Sequence, residues 1–289
     1  MSIPALSSQL RSHFKIGVFD SGVGGLTVLK EMTAQMPHES VIYFGDTARV
    51  PYGNRSKSEI LRFVREIIAW MIDLDVKMII MACNTSSALV LEEVRSEFPI
   101  PILGIILPGA RAAVKAGKSI GVVSTEATAK SNAYQQAVQE IDSSAQVWQV
   151  GCHDFVPLIE DDRIHAPYTL AVARRYLLPL IDAGIDTLVY GCTHYPHLAP
   201  VFKQILPTHI KLVDPAKHLT VAAAQELTIL RLRRSSNSPI EPTEFYVSGD
   251  PEQFANVSQQ WLGYKPLVKQ IPVSELEMIH AASSSTSDR

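Results

Sequence analysis

One short apolar pattern occurs twice in this chain, and each copy is followed by a turn and a sequence of helical periodicity. Residues 16–19 (Ile-Gly-Val-Phe) match residues 120–123 (Ile-Gly-Val-Val) in pattern, 104 residues further along the chain. Around both copies, apolar runs of strand length alternate with stretches of helical periodicity. This alternation predicts parallel sheets covered by helices on both faces, in two similar α/β halves.

The remaining periodicity places the other main elements. Ser56 with Glu59 has the spacing of a capping box at the start of a long amphipathic helix. The tail after His280 is low in complexity, and we expect it to be disordered. Apolar runs predict further strands at 41–44, 77–82, 102–106, 147–150, 187–190 and 245–248, and helical patterns predict helices at 26–35, 56–74, 86–98 and 218–233.

Two of the three cysteines stand in matching contexts, each directly after an apolar run. Cys83 is followed by Asn84 and Thr85, and Cys192, 109 residues later, is followed by Thr193 and His194. Because the carboxyl ends of parallel strands line the binding crevice of such sheets, we expect both thiols to face one cleft. Two opposed thiols are suited to take a proton from one face of a carbon and return one to the other face. That is the chemistry of a cofactor-independent racemase.

A cysteine acts as a base only as the thiolate, and the reference pKa of its thiol is about 8.5. A cysteine between a strand and a helix faces the positive end of the helix dipole, which lowers that pKa. We therefore expect a helix to begin after each cysteine. Asn84, Thr85 or Ser86 would cap the first helix, and Thr193 would cap the second.

Other interpretations of the cysteines stay open at this point. A cysteine after an apolar strand can be a small buried residue without chemistry. The pair Cys192 and His194 resembles half a zinc site, but one intervening residue is tighter than the usual spacings and no second ligand pair lies nearby. A Cys–His nucleophile for amide hydrolysis would leave Cys83 unexplained. Cys152 has no partner pattern, and we interpret it as structural.

The turn at residues 20–25 (Asp-Ser-Gly-Val-Gly-Gly) raises the question of nucleotide binding. It does not have the G-x-G-x-x-G spacing, and no Walker lysine follows it. We interpret it as an anion-binding turn at a helix N-terminus, suited to a carboxylate. Asp20 beside a thiol would hold a proton or orient an ammonium group.

Composition limits the partners and the compartment. A net charge of −3 and a pI near 6.3 give no basic excess of the kind that nucleic-acid binding requires. Residues 1–15 lack the apolar core of a signal peptide, and no run of 18 apolar residues predicts a membrane span. Three cysteines without a C-x-x-C pair argue against a disulfide framework. We expect a cytoplasmic protein with no nucleic-acid partner, no membrane partner and no metal site.

Taken jointly, the motifs resemble those of the glutamate racemases, within the wider aspartate/glutamate racemase superfamily. The resemblance covers about residues 16–263, with local departures at residues 123–125, His153 and His197. The segments that carry it are residues 17–27, 43–48, 51–53, 82–85, 108–110, 191–196, 213–215 and 248–250.

The resemblance implies a two-base mechanism without a cofactor. Cys83 would deprotonate the α-carbon of D-glutamate while Cys192 protonates the opposite face, and the roles would exchange for L-glutamate. Asp20 would assist Cys83, and His194 would assist Cys192. Glu160 is a further candidate near the cleft. The residues implied to hold the amino acid are Asp20, Ser21, Tyr52, Gly53, Asn84, Thr85, Thr193 and His194.

The resemblance also implies the architecture and the biological setting. Two similar doubly wound parallel-sheet domains would be related by pseudo-twofold symmetry, with the active site in the cleft between them. Residues 1–108 with 215–289 would form the first domain, and residues 109–214 the second. The product, D-glutamate, would supply peptidoglycan synthesis and thereby cell-wall biogenesis and cell shape, and a homodimer is expected.

Two rivals remain open. A racemase for aspartate or another amino acid would keep both thiols and change the pocket that binds the side chain. A two-lobed amino-acid-binding protein would keep the cleft without any proton exchange. The paired cysteines argue against the second rival, because binding alone needs neither thiol.

Overall fold

The computed structural model describes residues 12–287, and within them the strands form two sheets. All pairings between neighbouring strands are parallel. The strands are β1 (Lys15–Asp20), β2 (Val41–Gly45), β3 (Val76–Met81), β4 (Ile102–Gly104), β5 (Ser119–Ser124), β6 (Gln146–Gly151), β7 (Thr187–Gly191), β8 (Lys211–Val213), β9 (Glu244–Val247) and β10 (Val268–Gln270).

Helices alternate with these strands along the chain, and two short 3₁₀ segments interrupt the loops at Tyr52–Asn54 and Tyr195–Leu198. The helices are α1 (Leu26–Gln35), α2 (Lys57–Asp73), α3 (Asn84–Glu97), α4 (Ile106–Ala116), α5 (Glu126–Ser131), α6 (Ala133–Ile141), α7 (Phe155–Glu160), α8 (Pro167–Asp182), α9 (Ala199–Phe202), α10 (Pro215–Ile229), α11 (Pro251–Leu262) and α12 (Val273–Ser287).

The two sheets repeat one topology. The six-stranded sheet has the order β10-β9-β2-β1-β3-β4, and the four-stranded sheet has the order β6-β5-β7-β8. Strands β2-β1-β3-β4 therefore correspond to β6-β5-β7-β8. The correspondence extends to the backbone, since the N–H of Asp46 donates to the carbonyl of Asp20 as the N–H of Cys152 donates to that of Ser124. The α/β fold class with two similar parallel sheets is confirmed.

Burial explains why these sequences form central strands. Every residue of β3 is buried, and Met78, Ile79 and Ile80 are fully inaccessible to solvent. A strand covered by helices on both faces needs apolar side chains at every position rather than at alternate ones. Each sheet accordingly lies between two apolar clusters, one on each face.

The predicted capping box is present at the start of α2. The Ser56 hydroxyl accepts from the N–H of Glu59, and the Glu59 carboxylate accepts from the N–H of Ser56. These two bonds satisfy backbone donors that the first turn of a helix leaves unpaired.

Several element boundaries differ from the prediction. Helix α3 begins at Asn84, two residues early, so that Cys83 is itself the N-cap residue. Helix α10 begins at Pro215 because Asp214 caps it and proline suits the first helical position. The expectation of disorder after His280 is wrong up to Ser287, where α12 ends. The fully buried Leu276 anchors this helix, and alanine residues favour its continuation.

The chain leaves the six-stranded sheet after β4 and returns to it with β9. This path agrees with a first half built from both ends of the chain, while the division at residues 108/109 and 214/215 stays a prediction. Within residues 12–287, no helix has the length and apolar character needed to cross a membrane.

Candidate active site

A cavity of about 340 Å³ lies between the two halves, at the carboxyl ends of the strands. Both halves contribute to its walls, as expected for parallel sheets whose strand ends meet at a crevice. Nine of the ten predicted site residues line it: Ser21, Tyr52, Gly53, Cys83, Asn84, Thr85, Cys192, Thr193 and His194.

The tenth, Asp20, lies behind the cavity wall and is fully buried. Its carboxylate accepts hydrogen bonds from the N–H of Gly22 (3.0 Å) and from the hydroxyl of Thr193 (3.2 Å). Burial raises the pKa of Asp20, whereas the nearby His194 imidazolium and these hydrogen bonds lower it. The carboxylate therefore influences the cavity through its charge and through Thr193.

Cys83 ends the loop after β3 and is the N-cap residue of the 14-residue helix α3. Its thiol donates to the Ser21 hydroxyl at 3.8 Å. Burial raises the pKa of Cys83 to about 12, and the Asp20 carboxylate adds to the rise. The predicted lowering by the helix is wrong in its net effect, because a buried site and a neighbouring negative charge outweigh the helix terminus.

Cys192 follows β7, and in place of the expected helix the structure has two short helical segments. A 3₁₀ segment, Tyr195–Leu198, comes next, and it runs into the four-residue α9. Pro200 supplies no backbone N–H and would fall in the interior of a helix that began after Cys192, which disfavours one continuous α-helix there. Thr193 makes no capping bond; its hydroxyl bonds Asp20 instead.

A chain of contacts connects Cys192 to Glu160. The Cys192 sulfur lies 3.7 Å from Nδ1 of His194, and Nε2 of His194 lies 3.0 Å from a carboxylate oxygen of Glu160. Burial lowers the pKa of His194, but the bonds to Cys192 and Glu160 outweigh it and raise the pKa to about 10. The imidazole is therefore protonated at neutral pH, with both ring nitrogens donating.

Asn84 and Thr85 lie in the first turn of α3 and contact the opposite half. The hydroxyl of Tyr134 donates to Oδ1 of Asn84 at 2.7 Å. The Thr85 hydroxyl lies 2.9 Å from the Thr125 hydroxyl and 3.3 Å from that of Thr128. These residues hold the two walls of the cavity together.

The loop containing Tyr52 and Gly53 forms another wall. The Tyr52 hydroxyl donates to Asp46 at 2.5 Å, and Ser248 donates to the other oxygen of the same carboxylate at 2.7 Å. Arg49 lies close by, with Nη1 3.6 Å from Asp46 and Nη2 2.5 Å from Glu66. A buried polar network thus fixes the loop from behind.

The lining of this cavity, which lies within residues 12–287, includes no lysine or arginine. Besides the three thiols, its polar groups are hydroxyls, the amides of Asn54 and Asn84, the carboxylates of Glu126 and Glu160, and the imidazoles of His153 and His194. Any carboxylate bound here would be held by neutral donors, by the N-terminus of α3 and by the His194 imidazolium.

Two lining residues carry roles that the sequence analysis did not assign. Thr125 follows β5 directly, as Ser21 follows β1, and it caps α5 by accepting from the N–H of Thr128. Cys152 also lines the cavity, although its thiol donates to the Val150 carbonyl at 3.5 Å and burial raises its pKa. The repeat pattern would have identified both, because each follows a strand that corresponds to β1 or β2.

A metal site has no support from the arrangement of side chains. In the described part of the chain, no group of three or more His, Cys, Asp or Glu residues is placed to hold a metal ion. The His194 nitrogens are already engaged with Cys192 and Glu160.

Comparison with known proteins gives the family. A statistical model of the family described as Asp/Glu/hydantoin racemase matches residues 7–223, well over half of the chain. The chain belongs to this family. A glutamate racemase from Gloeothece citriformis is 64% identical over 256 residues, which cover 89% of this chain and 91% of that protein.

Solved structures of racemases in this family have the same fold. The structure of glutamate racemase isoform RacE1 from Bacillus anthracis has a TM-score of 0.87 at 35% identity, covering 91% of this chain and 98% of that one. A glutamate racemase from Francisella tularensis in complex with D-glutamate has a TM-score of 0.84 at 34% identity, covering 90% and 97%. The resemblance to glutamate racemases is confirmed, and the protein is an amino-acid racemase, an isomerase.

Proposed function

We propose that this racemase interconverts L-glutamate and D-glutamate with Cys83 and Cys192 as its two bases. One observation carries the proposal: the two thiols line one cavity from opposite halves, at the ends of the corresponding strands β3 and β7. The names of its relatives support glutamate as the substrate, as does the Francisella tularensis enzyme in complex with D-glutamate.

In the proposed reaction the Cys83 thiolate removes the α-proton of D-glutamate, and the electron pair is left on the α-carbon and its carboxylate. The Cys192 thiol then gives its proton to the opposite face, which produces L-glutamate, a Cys83 thiol and a Cys192 thiolate. The reverse direction exchanges the roles. Because two thiols provide both the base and the acid, the proton transfer needs no cofactor.

The two thiols have different neighbours, so a different side chain assists the proton transfer at each face of the α-carbon. His194, protonated and bonded to Glu160, stands beside Cys192 as a hydrogen-bond donor to its sulfur. Burial raises the pKa of Cys83, and the nearby Asp20 carboxylate adds to the rise. A bound ammonium group would offset the charge of Asp20 and so favour the Cys83 thiolate.

Substrate recognition is proposed to use neutral donors. The amide nitrogen of Asn84, which has no partner among residues 12–287, the hydroxyls of Ser21 and Thr85, and the backbone at Gly53 and Thr193 suit the two carboxylates of glutamate. Such preorganised donors also stabilise the negative charge that develops on the carboxylate during proton removal.

The biological setting is part of the same proposal. D-glutamate made by a cytoplasmic homodimer would supply peptidoglycan synthesis and so support the cell wall and cell shape. Light scattering of the purified protein tests the dimer. Loss of the gene tests the supply role, since growth should then depend on added D-glutamate.

The mechanism is tested by single substitutions of the three cysteines. Cys83→Ala and Cys192→Ala should each abolish racemisation in both directions, because each face of the α-carbon needs its own acid or base. Cys152→Ala is the matched control, since this thiol lines the same cavity and should be dispensable. Near-normal turnover by either of the first two variants, or activity on aspartate without activity on glutamate, would overturn the proposal.

A further inference from the structure

The side-chain amide of Asn84 has one partnered end and one unpartnered end. Its Oδ1 accepts a hydrogen bond of 2.7 Å from the hydroxyl of Tyr134. Its Nδ2 is buried and has no hydrogen-bond partner among the described residues, although Asn84 lines the cavity. A buried NH₂ group without an acceptor costs stability in the free protein, and a ligand that supplies an acceptor would offset this cost.

Tyr134 is held rigidly on the opposite side of the cleft. It lies in the first turn of α6, has no exposed surface and packs in the apolar cluster with Ala110, Ala113 and Val138. Helix α6 follows the first strand of the four-stranded sheet, whereas α3, which carries Asn84, follows a strand of the six-stranded sheet. The hydrogen bond therefore spans the two halves.

We propose that Tyr134 is a positioning residue that fixes the amide of Asn84 with its NH₂ group directed into the substrate cavity. A tyrosine hydroxyl that donates to Oδ1 fixes the orientation of the amide, so that the NH₂ end is the one presented to a ligand. That end selects a hydrogen-bond acceptor, such as a carboxylate oxygen of the amino acid. This inference rests on the proposed function and adds that closure of the two halves sets the orientation of the donor.

Tyr134→Phe tests the proposal against the matched control Tyr190→Phe. Tyr190 is also buried, in β7, but its hydroxyl has no hydrogen-bond partner among residues 12–287, so its removal breaks no contact with Asn84. Loss of one neutral hydrogen bond predicts a KM for both enantiomers that is about 3- to 10-fold higher in Tyr134→Phe. We expect kcat within about twofold of wild type, because the lost interaction stabilises the bound substrate and the transition state equally. In Tyr190→Phe both constants should stay at wild-type values.

A double-variant cycle separates positioning from a general loss of packing. If Tyr134 acts through Asn84, then Tyr134→Phe should raise KM in the wild type and leave it unchanged in an Asn84→Ala background. Effects that multiply in the double variant, or an unchanged KM in Tyr134→Phe, would overturn the inference. Equal melting temperatures of Tyr134→Phe and Tyr190→Phe would exclude a folding defect as the cause.

Calorimetric titration with D-glutamate keeps the two proposals distinguishable. If the wild-type protein binds D-glutamate but does not turn it over, the proposed function alone is contradicted. Tyr134→Phe and Tyr190→Phe would then be compared by their Kd for D-glutamate instead of by KM. A wild-type Kd retained by Tyr134→Phe would contradict the positioning role alone.

Discussion

The hydroxyl of Thr193 donates a 3.2 Å hydrogen bond to the carboxylate of Asp20, which lies 173 residues earlier in the chain. The backbone carbonyl of Thr193 in turn accepts from the Thr27 hydroxyl at 3.0 Å. Through these two bonds the segment that carries Cys192 and His194 is fixed against the turn that follows β1. Correct placement of the second thiol therefore depends on the turn of the first half.

Gly24 should be indispensable to this contact. A Cβ atom at Gly24 would overlap Oγ1 of Thr193 and Nδ1 of His194, whereas a Cβ at Gly22 would meet only the Val50 side chain at an ordinary 3.6 Å. We expect Gly24→Ala to lower kcat at least 10-fold and to destabilise the protein by about 1–3 kcal/mol through overpacking. Gly22→Ala is the control and should keep its stability in chemical denaturation; equal behaviour of the two variants would contradict the close approach.

Glu160 should set the alkaline limit of activity through His194. Burial lowers the pKa of His194, and the bonds to Cys192 and Glu160 raise it to about 10. Removing the Glu160 charge in Glu160→Gln should move the alkaline limb of the pH–rate profile to lower pH by about one unit. Glu126→Gln provides the control, because Glu126 also lines the cavity but pairs with Lys130. An unshifted alkaline limb of the pH–rate profile in Glu160→Gln would contradict the proposed action of Glu160 through His194.

His194 also makes the stability of the protein depend on pH. The pKa of His194 in the folded protein, about 10, lies above its reference value of 6.5. Its contribution is therefore complete below pH 6.5 and is lost as the pH rises through about 10. We expect the free energy of unfolding to fall between pH 6.5 and 9, and His194→Asn to flatten this slope in urea titrations. An equal slope in wild type and variant would assign the dependence to other groups.

Removing one partner of the buried Arg49–Glu66 ion pair should lower the free energy of unfolding. Arg49 and Glu66 are buried and lie 2.5 Å apart, and Arg49 also approaches Asp46, which holds Tyr52. Arg49→Met should destabilise the protein by about 3–5 kcal/mol, because the buried Glu66 carboxylate loses its nearest cation and keeps the longer contact to Arg62, at 3.8 Å. The double variant Arg49→Met/Glu66→Leu should recover part of this loss.

A matched surface pair gives the reference for that measurement. Arg65 and Glu97 form two hydrogen bonds, of 2.7 and 2.6 Å, but both side chains are about one-third exposed. Arg65→Met should therefore change the free energy of unfolding by about 1 kcal/mol or less. Comparable losses in Arg49→Met and Arg65→Met would contradict a structural role for the buried network.

Local sequence was sufficient to predict the central strands of both sheets and the position of each thiol at a strand end, but not the three-residue edge strands β8 and β10. The apolar runs before Cys83 and Cys192 identify buried strands, and parallel topology places each thiol at the crevice edge of its own sheet. The capping box at Ser56 and the helix at Leu26–Gln35 are likewise encoded within a few residues. These features depend on periodicity and spacing, which a single sequence contains.

Electrostatics and contacts between the halves were not predictable in this way. The helix after Cys83 was expected to lower its pKa, but burial and the charge of Asp20 dominate, and neither is visible from local spacing. The hydrogen bond from Tyr134 to Asn84 joins residues 50 positions apart, on helices that belong to different halves. Such partners follow from how the two halves pack, which no local pattern specifies.

The two-base account is tested most directly by hydrogen exchange at the α-carbon. D-glutamate is incubated with the protein in deuterated water, and deuterium is measured in substrate and product at low conversion. If Cys83 removes a proton and Cys192 supplies another, newly formed L-glutamate carries deuterium while the remaining D-glutamate stays protonated. Deuterium entering D-glutamate as fast as L-glutamate forms, or L-glutamate retaining the original proton, would contradict two bases on opposite faces.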